Sequence, residues 1–328
     1  MKKFGWLFIG TGAIANKVAK EITRKGKHCI VASFSRNKKN NQKFAKRFNA
    51  KPVETLDEAL AMEEVEGVYI ATPHASHYEL IKKCINANKA VLCEKAFTIN
   101  AFQAAEVCKL SKEKGVYLGE AMWMKFNPIN KRILSLHNSN KLGNVEYFGC
   151  TFGYNRKFAY TSGRLTDPNL GGGSLLDVGV YCVEYALSLF GEPDRINVEI
   201  KKDKYGVDLE GYIEFLYKGG EKARFFYSHD RFTLCRAIIV ATKVSIIFPF
   251  LFFKPNKAIC KYINGKRIDI KTKRGYSYEF DKVAADILAG KIESEEMTHA
   301  DSIRLMKTLD RIRLLADIKY PQEIEKFL

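Results

Sequence analysis

Several groups of residues in this chain have types and spacings that could do chemistry. Gly10-Thr11-Gly12-Ala13-Ile14-Ala15 follows the apolar run Trp6–Ile9 and precedes apolar residues at helical spacing: Ile14, Val18, Ala19 and Ile22. Strand, tight glycine turn and helix, in that order, make a unit that can hold the pyrophosphate of a dinucleotide. The first glycine permits the turn, the second lets the backbone approach the phosphates, and the small third position lets the helix pack on the strand. The helix then points unpaired N–H groups and its positive end at the phosphates. Taken alone, the motif also fits a plain tight turn. About twenty residues beyond the last glycine, NAD-selective units carry Asp or Glu for the ribose hydroxyls. Here Ser35 and Arg36 stand there, a hydroxyl and a forked cation suited to a 2′-phosphate. The expected cofactor is therefore NADP(H) in preference to NAD(H), with Arg36 as a mere surface residue the alternative.

Two further apolar runs end in polar groups. One leads into Thr72-Pro73-His74-Ala75-Ser76-His77, the other into Glu94-Lys95-Ala96. In an open α/β sheet, ligands bind beyond the carboxyl ends of the strands, so both stretches are candidates to edge a cofactor cleft. His74 and His77 fit ordinary loop polarity equally well. Later, Gly171-Gly172-Gly173 precedes Ser174-Leu175-Leu176-Asp177-Val178-Gly179-Val180-Tyr181. If Ser174 caps a helix, Asp177 and Tyr181 lie four apart and share one face. A tyrosine near a lysine ammonium makes an acid/base pair, because the cation stabilises the phenolate. A satisfied helix pair is the bland reading of the same two residues.

These groups need elements to position them. The first part of the chain alternates strand candidates (Trp6–Ile9, Ile30–Phe34, Gly67–Ala71, Ala90–Cys93, Val116–Leu118) with helical patterns around Ala13–Arg24, Asn41–Phe48, Leu56–Met62, Tyr78–Ala87 and Ala101–Lys114. That rhythm predicts a parallel sheet covered on both faces. After about residue 123 the rhythm changes to alternating strands: Val145–Tyr154, Arg195–Ile200, Gly211–Tyr217, Ala223–Ser228, Ala237–Ala241, Val244–Phe250 and Ile259–Ile268. Helical patterns begin near Ser174 and run from His299 to about Lys319, the latter with Thr298, His299 and Asp301 as capping candidates. The expectation is an α/β dinucleotide-binding domain over residues 1–122. An α+β domain with a large, open, mainly antiparallel sheet follows over residues 123–328.

Composition narrows the function class. At 328 residues, 46% hydrophobic and 28% charged, the chain reads as a globular protein with ample core. The longest apolar run, Ile246–Phe253, is interrupted by Pro249 and is too short to span a bilayer; no signal segment is apparent. Eight cysteines without metal-ligand spacing suggest buried reduced thiols in a cytoplasmic protein. The net charge of +17 raises nucleic-acid binding, but the lysines are spread between apolar positions and no nucleic-acid motif accompanies them. A solvated basic surface that attracts anionic ligands is the preferred reading, with no specific nucleic acid, no membrane and no metal site.

Together, GTGAIA, VYIATPHASHYEL, AVLCEKAFTIN, GEAMWMKFNP, LGNVEYF, GGGSLLDVGVYCVEYAL and HADSIRLM resemble the Gfo/Idh/MocA family of NAD(P)-dependent oxidoreductases over nearly the whole chain. The GVYC after Asp177 is most similar to the dihydrodiol dehydrogenase and glucose–fructose oxidoreductase branch. The resemblance implies an amino-terminal Rossmann doubly wound sheet. It places Gly10, Thr11, Gly12, Ala13 and Ile14 on the pyrophosphate and Ser35 and Arg36 on the adenosine ribose and its phosphate. Thr72, Pro73 and His77 would edge the cleft, and Glu94 and Lys95 match the family's Glu-Lys-Pro motif. Lys95, Asp177 and Tyr181 would be catalytic, Tyr181 handling the proton. Trp123, Lys125 and Phe126 would either shape the pocket wall or pack in the core. The implied activity is hydride transfer between nicotinamide and a secondary alcohol or ketone of a small cyclic polyol, sugar-like or a dihydrodiol, in a homodimer or higher oligomer. The alternatives are a non-catalytic NADP(H)-binding regulator, or an enzyme that retains nicotinamide for transient hydride transfer in glycoside cleavage or epimerisation. Ala96 departs from the motif's proline, which makes a cis bond at that position improbable.

Overall fold

The structure is a computed structural model that describes residues 2–155 and 163–325. The chain forms two units, one of residues 1–122 and 275–303, the other of 123–274 and 304–328. The sequence pattern grouped everything after residue 123 together, yet 275–303 packs with the first unit.

The first unit is a parallel sheet of β1 (Phe4–Ile9), β2 (His28–Phe34), β3 (Lys51–Pro52), β4 (Gly67–Ile70), β5 (Ala90–Glu94) and β6 (Leu118–Ala121). Its order is β3-β2-β1-β4-β5-β6, so the direction of winding reverses between β1 and β4. Every residue of β1 and β4 is buried, as a central parallel strand covered on both faces requires. The connecting helices are α1 (Ala13–Arg24), α2 (Lys38–Phe48), α3 (Leu56–Leu60), α4 (His77–Asn86) and α5 (Ala101–Lys114). Local chemistry starts several of them: Asn37, Thr55 and Asn100 each accept a backbone N–H at a helix N-terminus.

The second unit opens with two short helices, α6 (Trp123–Phe126) and α7 (Pro128–Asn138), then β7 (Val145–Gly153). α7, which the sequence reading did not anticipate, starts with Pro128 in its first turn and buries Ile129 and Ile133 on one face. A π-helical turn, Leu175–Gly179, leads into α8 (Val180–Phe190). Next come β8 (Arg195–Lys202), β9 (Asp208–Leu216), β10 (Lys222–Ser228), β11 (Ala237–Ala241), β12 (Val244–Phe248), β13 (Lys257–Tyr262) and β14 (Arg267–Lys271). The run Ile259–Ile268, expected as one strand, is thus two, reversed at Asn264-Gly265 because Tyr262 pairs with Lys266. β12 stops before Pro249, which lacks the N–H that a ladder needs.

These strands form one eight-stranded sheet, β14-β13-β12-β11-β7-β10-β9-β8. All its pairings are antiparallel except β7 with β10, which run parallel from Tyr147 opposite Lys222 to Gly153 opposite Ser228. α8 covers one face, with Tyr185 stacked on Phe148 at 5.0 Å. The stretch Pro168–Phe190 is long and apolar enough to cross a membrane, but 89% of its most apolar part is buried inside the unit, as a core helix should be. α9 (Ser277–Leu288) returns to the first unit, where Phe280 packs edge-on against Trp6 and Tyr69. α10 (His299–Leu315) begins with a reciprocal cap: Asp301 N–H donates to Thr298 Oγ1, and Thr298 N–H to Asp301 Oδ2. A short α11 (Gln322–Glu325) follows. All eight cysteines are free thiols and seven are buried.

Ser174 does not cap its helix, as the sequence pattern suggested. Its hydroxyl donates to Asp208 Oδ2 at 2.7 Å, and the same oxygen accepts the N–H of Leu175 at 2.6 Å. The cap thus comes from a buried carboxylate at the start of β9, 33 residues away in sequence from Leu175. Gly173 makes room for it. With φ +111 it sits where L side chains are strained, and a Cβ there would lie 2.2 Å from Asp208 Oδ1. Burial pushes the Asp208 carboxyl up to about 6, against the hydrogen bonds that favour its anion. A folded value above the unfolded one means that the native state takes up the proton first. Stability contributed by this group therefore rises as pH falls from above 6 to below 4, by about 3 kcal/mol. Asp208→Asn keeps an acceptor for Leu175 but cannot ionise. Denaturant unfolding of both proteins between pH 4 and pH 8 should show the variant gaining about 3 kcal/mol relative to wild type as pH rises. A constant difference would refute the buried-carboxylate assignment.

Candidate functional site

In the first unit the expected cofactor residues gather at the carboxyl ends of β1, β2, β4 and β5. Gly10 turns with φ +97, and a Cβ on it would strike Ala71 O at 2.4 Å, so the β1 and β4 ends can approach only with glycine here. Gly12 differs: a Cβ there would meet nothing within 4 Å. The loop opens on space that any side chain at Gly12 would enter. α1 begins at Ala13 with no side-chain cap and no acidic residue in its first turn, leaving the N–H groups of Ala13, Ile14 and Ala15 to an outside acceptor. Asn16, which sequence reasoning passed over, donates from Nδ2 to Thr11 O and Gly12 O, both at 3.0 Å, and so ties down the loop carbonyls. Arg47 in turn donates to Asn16 Oδ1 at 3.2 Å. A bare helix N-terminus behind a cradle that a Cβ would fill fits a dinucleotide pyrophosphate.

Ser35 is half-buried and Arg36 exposed at the end of β2, beside β1, and Arg36 makes no ion pair among the described residues. Thr72 lies against Gly10, its Cγ2 within 3.2 Å of where a Cβ would sit. His77 is placed differently from a cleft-edge residue, for it is fully buried. Its Nδ1 lies 3.0 Å from Ala96 O and its Nε2 3.0 Å from Thr72 O, so the ring joins the loop after β4 to the loop after β5. His74 is also buried and packs edge-on against it at 5.8 Å. The Lys95–Ala96 peptide is cis, contrary to the expectation drawn from the missing proline. Contacts of the folded loop, His77 to the Ala96 and Phe97 carbonyls among them, hold this segment without a pyrrolidine ring. Glu94 accepts the Tyr69 hydroxyl at 2.5 Å, and burial beside that carboxylate pushes the Tyr69 phenol well up. Burial, with Glu94 and Glu120 nearby, likewise pushes up the Glu279 carboxyl of α9.

The second unit contributes a separate cluster. Because β7 and β10 are parallel, both carboxyl ends emerge at the same edge, and Tyr154 N–H bonds Ser228 O there. The π-helical turn brings Asp177 to this edge, and Tyr181 follows in the first turn of α8. Such single π turns occur often at functional positions. Asp177 Oδ1 accepts from Arg164 Nη2 at 3.0 Å, and Oδ2 lies 3.0 Å from His229 Nε2. Asp177 and His229 are both buried. The Trp123 indole N–H donates to the Tyr181 hydroxyl oxygen at 2.9 Å. Tyr181 packs at a tilt against Phe152 and Phe253, with ring centroids 5.5 and 5.3 Å away, and those two rings stack on each other at 4.0 Å. The indole donation stabilises charge on the phenolic oxygen once its proton leaves, so the geometry suits an acid/base residue.

Phe126 is buried, and Lys125 is drawn inward to Glu184 at 3.1 Å and to Ser188 Oγ at 2.9 Å. Arg164 and His229 were missed by the sequence reading. His229 follows an apolar strand just as His74 does, so the strand-end rule could have found it had β10 been recognised as parallel to β7. Nothing local marks Arg164.

Comparison with known proteins follows this division. A family model described as "Oxidoreductase family, NAD-binding Rossmann fold" matches residues 4–122, and the GFO/IDH/MocA C-terminal domain matches residues 131–247. The chain is 31% identical to a scyllo-inositol 2-dehydrogenase (NADP(+)) of Bacillus subtilis, covering 96% of this chain and 98% of that one. It is 28% identical to a trans-1,2-dihydrobenzene-1,2-diol dehydrogenase of Xenopus laevis, covering 96% of this chain and 99% of that one. Among solved structures, aldose-aldose oxidoreductase from Caulobacter crescentus has the same fold, with a TM-score of 0.86, 19% identity and coverage of 96% and 98%. With both domains matched in order, this protein belongs to the GFO/IDH/MocA family of oxidoreductases.

Proposed function

We propose that this protein uses NADP(H) to interconvert a secondary alcohol and a ketone on a small cyclic polyol, sugar-like or a dihydrodiol. The chain is a dehydrogenase of the family that acts on CH–OH groups, and it carries an NAD(P)-binding domain. The observation that carries the finer reading is the Tyr181 phenol, buried in an aromatic pocket with its oxygen held by the Trp123 N–H. The relatives named for an inositol and a dihydrodiol support a polyol substrate, and the one named for NADP supports the cofactor preference. When bound, the nicotinamide supplies the hydride acceptor or donor.

In the oxidative direction Tyr181 takes the hydroxyl proton and Lys95 stabilises the alkoxide that develops. Trp123 disperses the negative charge on the Tyr181 oxygen. Asp177, held by Arg164 and His229, accepts a hydrogen bond from a neighbouring substrate hydroxyl and fixes which carbinol is presented. Arg36 pairs with the 2′-phosphate, and the N-terminus of α1 takes the pyrophosphate. A second copy of the chain covers the outer face of the eight-stranded sheet. There Tyr147, Tyr212, Phe226, Ile238, Val240 and Ile247 face away from α8 on neighbouring strands, and Tyr212 is 42% exposed.

Calorimetric titration with NADPH and NADH tests the cofactor assignment. Wild type should prefer NADPH, and Arg36→Ala should weaken NADPH by about tenfold while leaving NADH unchanged. Equal affinity in wild type would reject it. For catalysis, Tyr181→Phe and Lys95→Ala should each lower kcat on an identified polyol by about two to three orders of magnitude. Trp123→Phe removes the donor to the phenolic oxygen, so the acidic limb of the oxidative pH–rate profile should move to higher pH. Unchanged turnover in Tyr181→Phe would remove the tyrosine from the mechanism. Light scattering after gel filtration should give the mass of a dimer or larger oligomer, and Tyr212→Glu should reduce it; a monomeric wild type would exclude the sheet-to-sheet association.

A further inference from the structure

The carboxyl-terminal segment reaches back to the turn that leads into the Asp177 cluster. Tyr320 lies between α10 and α11, and its hydroxyl donates to Gly172 O at 2.6 Å, across 148 positions of sequence. The ring is buried under Arg313, whose guanidinium carbon stands 4.9 Å from the ring centroid. Arg313 is itself buried and donates to Asp310 at 2.8 Å and to Glu325 of α11. Ile318 N–H closes the end of α10 on Arg313 O at 2.9 Å, and Lys202, at the end of β8, donates to Asp317 O. Burial, with the Asp208 carboxylate nearby, pushes the Tyr320 phenol up, so its hydroxyl keeps its proton and donates throughout the physiological range.

Gly172 is the point at which that hold matters. The turn that starts at residue 163 closes on itself there: Gly172 N–H donates to Asp167 O at 3.0 Å and Gly173 N–H to Leu165 O at 2.9 Å. The fit is tight, for a Cβ on Gly172 would lie 2.9 Å from Asp167 O and from Leu165 O, and 3.0 Å from Arg164 O. So close a packing ties the backbone of Gly172 to that of Arg164, whose guanidinium donates to Asp177 Oδ1 at 3.0 Å. Along the chain the same glycine leads through Gly173 and Ser174 into the turn Leu175–Gly179, which carries Asp177. The cap on Asp208 fixes this turn from the β9 side, and Tyr320 fixes it from the side of Arg164. Several bonds on one short loop hold a polar group in a single orientation before a ligand arrives.

We infer that Tyr320 is a positioning residue for the substrate: through Gly172 it holds Arg164 and the Leu175–Gly179 turn so that Asp177 meets a substrate hydroxyl in one orientation. The carboxyl-terminal segment, remote in sequence from Asp177, is thereby part of the machinery that binds the polyol. The inference rests on the proposed role of Asp177 toward substrate, whereas the hold on the turn does not depend on turnover. Tyr320 acts through Gly172 and not on a reacting atom, so its loss falls on binding and not on the chemical step.

Tyr320→Phe removes the hydroxyl and keeps the ring under Arg313. With saturating NADP⁺ and the polyol that wild type turns over, it should raise KM by about fivefold, the worth of one buried hydrogen bond, and change kcat by less than about twofold. Arg164→Ala should raise KM by about tenfold or more. Adding Tyr320→Phe to Arg164→Ala should raise KM by less than about twofold further, because the two share one route to Asp177. A general loss of stability would not be masked in this way. Hydrogen exchange read by mass spectrometry, in protein without substrate, is the second measurement. Peptides within 163–177 should exchange about fivefold faster in Tyr320→Phe, while those of β1 and α1 should keep wild-type rates. Faster exchange confined to that turn, in a protein that oxidises no polyol, would support the hold on the turn and count against the redox reading alone. Unchanged exchange over 163–177, a KM effect as large on Arg164→Ala as on wild type, or a fall in kcat with KM unmoved overturns the inference.

Discussion

The hydrogen bonds from Ser174 Oγ and Leu175 N–H to the Asp208 carboxylate hold in place the turn that carries Asp177 and leads to Tyr181. Asp177 and Tyr181 follow within two turns of that cap, so their positions are inherited from it. A helix that starts on its own Ser or Thr cap is located by local sequence. This one starts on a carboxylate supplied by a strand of the sheet, which locks helix and sheet in register before any side chain beyond the cap is considered. Gly173 is part of the same device, since only a residue without Cβ leaves room for the second oxygen of Asp208. Keeping an anion in that buried place has a cost, seen in its carboxyl being pushed up to about 6.

The second organising feature is the single parallel pairing in an otherwise antiparallel sheet. An antiparallel neighbour would have put the end of β10 at the opposite edge from the end of β7. The parallel pair delivers His229 to the edge where Phe152 lines the tyrosine pocket. The Asp177 carboxylate then meets Arg164 on one oxygen and His229 on the other, and Tyr181 meets Trp123. Asp177 and Tyr181 are each held by neighbours from other elements, which is how a cluster keeps its geometry.

The first unit works by backbone more than by side chain. Its glycine loop and bare helix end are what a phosphate needs, and its histidine, the side chain there most suggestive of chemistry, is spent on joining two loops. A buried imidazole between carbonyls of the β4 and β5 loops couples Thr72 to the segment that carries Lys95. The residue type pointed to function, whereas the environment assigned it to architecture.

How much of this was legible follows the range of the interactions. Strand, turn and helix at residues 4–24 were readable because each depends on neighbours a few positions away: an apolar run, two glycines, a 3.6-residue period. The change from parallel to mainly antiparallel sheet after about residue 123 and the Thr298–Asp301 cap were readable for the same reason. The Asp208 cap, the Arg164 and His229 hold on Asp177, the cis Lys95–Ala96 bond, the return of residues 275–303 to the first unit and the withdrawal of Lys125 into the core were not. Each depends on a partner or a packing surface that only the folded chain brings near, and a linear pattern carries no record of that distance.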